Sequence, residues 1–231
     1  QLSGRTGQLS VGRPGKMFNI RFSSGLCPNC GWDLEGNTDS LVLHCRNCVS
    51  SWVIHSNKLS RITARFADEL SPSDLLLPFW QFSVTFKQLK LSSFADFIRL
   101  ANLPMVARNE HQDQPLHFWI PAFKMNPKLF LRIGRQTTAS QPGASEVPAL
   151  PENDRHPADL PLSEGFEAIL PVIMALAVKK KELWEQLKTE RMKLSAFSIS
   201  YLPFTPSGSE LYQPYLGVSL PKNALKFGRQ L

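Results

Sequence analysis

No stretch of this chain is apolar for long enough to cross a bilayer. The longest apolar run, residues 169–178, holds Pro171 and is ten residues long, about half of what a spanning helix needs. The N-terminal residues are rich in Gly, Arg and Ser and contain no apolar core of the kind a secretory signal carries. Both absences lead us to expect a soluble, cytoplasmic protein of a reducing compartment. The common catalytic patterns are missing too: there is no Gly-x-Ser-x-Gly, His-Glu-x-x-His or Gly-x-Gly-x-x-Gly. Gly15-Lys16 has the ending of a phosphate-binding loop, but Met17 stands where Ser or Thr belongs and the upstream glycine is lacking. Acidic residues are the minority, 19 against 26 basic ones. A net charge of +7 permits contact with nucleic acid or an anionic surface without being extreme. Residues 1–61 hold seven basic and three acidic side chains, so more than half of the excess lies in about a quarter of the chain.

Cysteine is scarce, and its placement is the most informative feature of the sequence. The four cysteines form two pairs, Cys27-Pro28-Asn29-Cys30-Gly31 and Cys45-Arg46-Asn47-Cys48, with 14 residues between them. Two Cys-x-x-Cys pairs at this separation are the pattern of a four-sulfur metal site. Each pair can form a tight turn that aims both sulfurs at one point, and Gly31 suits a backbone position of positive φ. Gly36-Asn37 signals a turn and residues 41–43 a strand, so a hairpin would bring the second pair back to the first. Two structural disulfides or a redox dithiol are the competing readings; the doubled pair with its turn residues favours metal. Zinc is preferred, and the same ligands would also take iron. His44 and His55 are spare ligands, read here as lying at the surface or just behind the sulfurs. A closed four-sulfur site leaves no position for water, so we expect a structural ion and no catalysis.

Through these two pairs, residues 25–55 resemble the zinc-ribbon family. The second pair departs from its commonest pattern, with Val49 where glycine often follows. The resemblance implies one structural Zn2+ held by Cys27, Cys30, Cys45 and Cys48.

Beyond the cysteines, 15 Phe and 5 Trp announce an aromatic core, and 18 Pro announce many short elements. Residues 127–136 and 221–230 share the frame Pro-Lys-x-x-Leu-x-x-Gly-Arg-Gln. Each frame has the proline-first, glycine-last asymmetry of a short helix. An apolar, proline-bearing stretch precedes each: Phe118 to Phe123, and Tyr212 to Val218. Weaker copies begin at Leu76-Leu77-Pro78-Phe79 and Tyr201-Leu202-Pro203-Phe204. We therefore expect repeated strand-then-helix units in an α+β domain, with proline confining the strands to edges or strand starts. Residues 163–193 read as the main helical stretch, broken or kinked at Pro171. Lys179, Lys180 and Lys181, followed by Glu182, Glu185 and Glu190, read as a solvated helix face. Residues 137–162, with five prolines, read as a long mobile loop. Glu110, His111, Asp113 and His117 form the one dense His/carboxylate cluster, read as a polar loop. The aromatics Phe79, Trp80, Phe82, Phe118, Trp119, Phe123, Tyr201 and Phe204 are read as core in preference to a base-stacking face.

As a whole the chain is similar to bacterial proteins of no established activity that join an N-terminal zinc ribbon to a domain with Leu-Pro-Phe-Trp, Pro-Ala-Phe-Lys and Gly-Arg-Gln elements. Here these are residues 77–80, residues 121–124, and the copies at Gly134 and Gly228. The expected organisation is a flexible basic arm (1–24), a zinc ribbon (25–58) and an α+β domain (59–231). The expected function is a non-enzymatic scaffold or adaptor with a protein partner, as a subunit of a larger assembly. The alternative is a nucleic-acid-binding protein using the arm and ribbon.

Overall fold

A computed structural model describes residues 25–55, 58–101, 103, 110–178 and 180–227. The basic arm, Lys179 and the Gly228 to Gln230 end of the second repeat lie outside these residues, as do the side chains of Glu110 and Phe227.

The chain is α+β, as expected. Three short strands, β1 (Val42–His44), β2 (Ser51–His55) and β3 (Lys58–Ile62), form an antiparallel sheet in the order β1-β2-β3. The cut expected at residue 58 therefore falls on the first residue of the ribbon's third strand. The larger sheet contains β4 (Ala64–Phe66), β5 (Leu75–Phe86), β6 (Phe118–Pro121), β7 (Met192–Ser207), β8 (Glu210–Gln213) and β9 (Val218–Pro221). Its order is β6-β5-β7-β8-β9, with β4 parallel to β7 on the edge that β8 covers further along.

Period-two alternation explains why this sheet has a core on each face. On β5, Leu76, Trp80 and Phe82 enter one cluster, while Leu77 and Phe79 enter the other. On β7, Ile199 and Tyr201 join the first, and Leu202 and Phe204 the second. All eight aromatics read as core are buried. The first face is covered by α1 (Phe94–Ala101), α4 (Leu162–Glu167), α5 (Ile169–Leu176) and α6 (Lys180–Leu187). The second is covered by α3 (Pro127–Ser140) and α7 (Ala224–Phe227), and α2 (Glu110–Asp113) precedes β6. No helix among the described residues is long and apolar enough to cross a membrane.

Both long repeats carry a strand followed by a helix, β6 with α3 and β9 with α7, at opposite ends of the sheet order. The stretch Tyr212 to Val218, however, is the end of β8 and a turn, and the strand β9 begins only at Val218. Pro127 opens α3 behind an Asn126 cap, whose side chain accepts the Lys128 N–H at 2.9 Å. Gly134 does not end that helix, which runs on to Ser140. Its role is close approach: a Cβ there would sit 3.2 Å from Val172 Cγ2 and 3.6 Å from Pro121.

Proline does not confine these strands to edges. Pro78 lies in β5 with partners on both sides. Its missing N–H falls beyond the last β6 pair, Phe79 with Pro121, and its carbonyl still accepts the Ala122 N–H at 2.9 Å. The helical stretch is three helices: Pro171 sits in the first turn of α5, where a missing N–H costs least. It ends at Leu187, not near Lys193, because residues from Met192 onward pair with β5.

The proline-rich segment is shorter than expected and is held down. Residues 137–140 are the last turn of α3, and Leu162 opens α4. Between them the strap bonds to Phe66 through Ser145, to Leu76 through Asp154 and His156, to Leu41 through Ala158, and to Ala122 through Leu160. The Trp80 indole N–H also donates to Leu160 O at 3.0 Å.

Candidate metal centre

The two cysteine turns are built alike. In the first, the Cys27 N–H donates to Trp32 O at 2.7 Å; in the second, the Cys45 N–H donates to Ser50 O at 2.8 Å. The residue four positions after each leading cysteine has left-handed backbone, φ 75° at Gly31 and 56° at Val49. Valine thus occupies the glycine position of the second turn. The conformation costs a β-branched residue roughly 1–2 kcal/mol, and Val49 recovers part of this by packing against the main core.

The turns bring four sulfurs to one point, with separations of 3.4–3.8 Å. All four cysteines are free, and a disulfide would need about 2.05 Å. A tetrahedron whose centre lies about 2.3 Å from each sulfur has edges of about 3.8 Å. The donor set and its spacing therefore fit one metal ion. Cys27 and Cys45 are buried with Trp52, while Cys30 is exposed.

One hydroxyl organises the inner side of the site. Ser50 Oγ accepts the Trp52 indole N–H at 3.0 Å and lies 3.0 Å from Cys48 Sγ and 3.3 Å from Cys27 Sγ. The Ser50 and Asn29 side chains hold the Cys48 thiol down to about 5. At Cys27 burial opposes the thiolate, but the Ser50 hydroxyl and the turn N–H groups of Asn29 and Cys30 outweigh it, and its pKa is lowered. At Cys45 burial wins and pushes the thiol up to about 12. An ion bound here must displace that proton, so loading releases protons and weakens as pH falls. Nothing in the cysteine spacing reveals Ser50.

His44 is not at the surface. It is buried, its Nδ1 2.8 Å from Ser51 Oγ and its Nε2 2.7 Å from Tyr201 Oη on β7. Burial, with Arg155 nearby, lowers its pKa to about 3, so the ring is neutral. Burial raises the Tyr201 pKa, so the phenol keeps its proton and the Oη–Nε2 contact joins two neutral groups. The residue before Cys45 is thus a buried tie between the small sheet and the large one. Around it, Arg46 pairs with Glu35 at 3.0 Å and with Glu152 at 2.5 Å, and Arg155 lies 3.6 Å from Glu35. His55 is exposed.

Among the described side chains of the His/carboxylate cluster, no three converge on one point. His111 meets the Phe94 ring edge-on at 5.7 Å, whereas His117 Nδ1 bonds to Ser83 Oγ at 3.0 Å. Among the described residues, the four cysteines are the group of His, Cys, Asp and Glu side chains close enough to share an ion. No family model matches the chain, and no curated protein or solved structure matches it either.

Proposed function

We propose that this protein is a non-enzymatic scaffold whose ribbon, held by one structural zinc ion, presents a surface to a protein partner in a larger assembly. The observation that carries the reading is Trp32. Its side chain follows the first cysteine turn and is 60% exposed, on a hairpin that also exposes Leu26 at 48%. The hairpin is fixed by the Leu26–Asp33 bridge and by the Leu34 N–H bonded to Gly25 O at 2.7 Å. An exposed tryptophan on backbone stiffened by a metal is the kind of rigid anchor that dominates protein interfaces. The ion is assigned as zinc because four thiolates around a closed position are its structural donor set. Metal analysis of the purified protein separates zinc from iron, which takes the same ligands. Cytoplasmic residence fits four reduced cysteines.

Capture of partners from the native organism tests the reading, comparing the wild type with Trp32→Ala and with Cys27→Ser/Cys30→Ser. Partners lost from both variants, with metal retained in Trp32→Ala, is the expected result. An unchanged bound set would mean that the ribbon is not the interaction surface.

Nucleic-acid binding is the second reading, and it rests on residues 1–24. Residues 25–61 carry three basic and three acidic side chains, and Arg46 is already held by Glu35 and Glu152. Affinity that falls steeply with salt would support this reading, and no binding at low salt would remove it.

A further inference from the structure

We propose that the fork where β3 parts from β7 is a second docking site, which accepts an acidic, extended peptide segment as an added strand. The site is distinct from the Trp32 hairpin and does not depend on the role given to it.

The fork follows from the pairing pattern. β7 is paired with β5 from Met192 to Phe204, but on its other side β4 covers only Ile199 to Tyr201 and β8 only Thr205 to Ser207. The last bond before the strands part is the Ile199 N–H to Thr63 O, at 3.0 Å. Residues 192–198 therefore have no strand beside them on that side among the described residues. β3 continues from β4 in the chain but turns away to pair with β2, which leaves its own outer edge open. Residues 61–63 and 194–197 line the resulting cleft, of about 410 Å³. Two open strand edges facing one cleft offer backbone N–H and C=O groups that an extended segment satisfies.

Charge selects the occupant. Lys58 and Arg61 lie on β3 and Lys193 on β7, all exposed, and residues 58–63 and 192–198 contain no Asp or Glu. Glu146 lines a separate cleft with Arg61, and no ion pair joins the two. A second copy of this chain is a poor occupant. It would bring the exposed cations Lys58, Arg61 and Lys193 of one copy up to the same set on the other. An acidic strand avoids that repulsion and meets three cations that have no carboxylate partner among the described residues.

The test uses two fluorescein-labelled octapeptides, one alternating Val and Glu and one alternating Val and Lys, titrated against the zinc-loaded protein by anisotropy. Amide hydrogen exchange is measured on the same samples. The Val-Glu peptide should bind, the Val-Lys peptide should bind at least tenfold more weakly, and the amides of residues 192–198 should gain protection. Arg61→Glu/Lys193→Glu changes only exposed side chains and should invert the preference. Equal affinities for the two peptides, a preference that survives charge reversal, protection located elsewhere, or no binding at millimolar peptide would each overturn the proposal.

Discussion

At the residue scale, the metal site depends on backbone conformations that sequence reveals unevenly. Gly31 and Val49 hold the same left-handed turn position, yet one is the expected glycine and the other a β-branched residue. A Cβ at Gly31 would meet nothing within 4 Å, so the only cost of Gly31→Ala is conformational. We expect that variant to lose about 1 kcal/mol in urea titrations of the metal-loaded protein. Stability equal to the wild type would show that the turn does not hold the left-handed conformation. Ser50 and His44 were hidden for a related reason. Their partners are set by how the second turn folds back, and Tyr201 lies 157 positions from His44. A polar residue beside a ligand gives no sign of whether it faces water or the core.

At the element scale, strands and helices were legible where their periodicity is strong, and their ends were not. The unbroken apolar run of residues 75–80, continued by Phe82, Val84 and Phe86, reads as a strand buried on both faces. The end of the helical stretch, by contrast, is decided by Glu190. Its sequence places it with the solvated acids of α6, but its carboxylate accepts the N–H groups of Lys87 at 2.7 Å, Gln88 at 3.0 Å, Leu89 at 2.6 Å and Arg191 at 2.8 Å. It thereby ties the turn before β7 to the end of β5. Burial works against the charge there, but the four N–H donors outweigh it and lower the pKa from its ordinary 4.5. A lowered carboxylate pKa stabilises the fold fully above about pH 4.5, and that contribution is lost as pH falls through the folded-state value. Glu190→Gln should therefore cost about 1.5–3 kcal/mol at pH 7. The gap from the wild type should narrow as pH falls below about 4.5, read as paired denaturation midpoints across pH. A gap independent of pH would show that the charge is not what the turn uses.

At the scale of the whole molecule, the ribbon and the large sheet are one connected structure. His44 bonds to Tyr201, whose ring stacks on Phe66 at 5.0 Å, and the strap bonds both to the ribbon at Leu41 and to β5 at Leu76. Strands of three to five residues bury little by themselves, so an ion bound at the four cysteines would hold them folded. Chelation should therefore lower the melting temperature of the whole protein, followed through the buried tryptophans Trp80 and Trp119. Tyr201→Phe leaves the buried His44 Nε2 without its hydrogen-bond partner and should cost about 1–3 kcal/mol. It should also shrink the drop in melting temperature on chelation. An unchanged melting temperature after the metal is stripped would mean that the two sheets fold independently.

By itself the sequence determined which four cysteines cluster, the α+β class, the aromatic core and the strand-then-helix form of the first long repeat. Each of these depends on spacing within about 20 residues or on a local period of two, which a single chain displays directly. Tertiary structure alone decided that Gly134 is a contact point inside a helix, that Pro78 is tolerated in a central strand, and that the proline-rich segment is a strap. It also decided that His44 is buried and that β7 keeps an open edge. In each case the deciding partner is an element remote in sequence: α5 for Gly134, the end of β6 for Pro78, β5 and the ribbon for the strap, and Tyr201 for His44. The open edge of β7 comes from the divergence of β3 at Thr63. Long-range partners are fixed by how the layers close on one another, which no local pattern encodes.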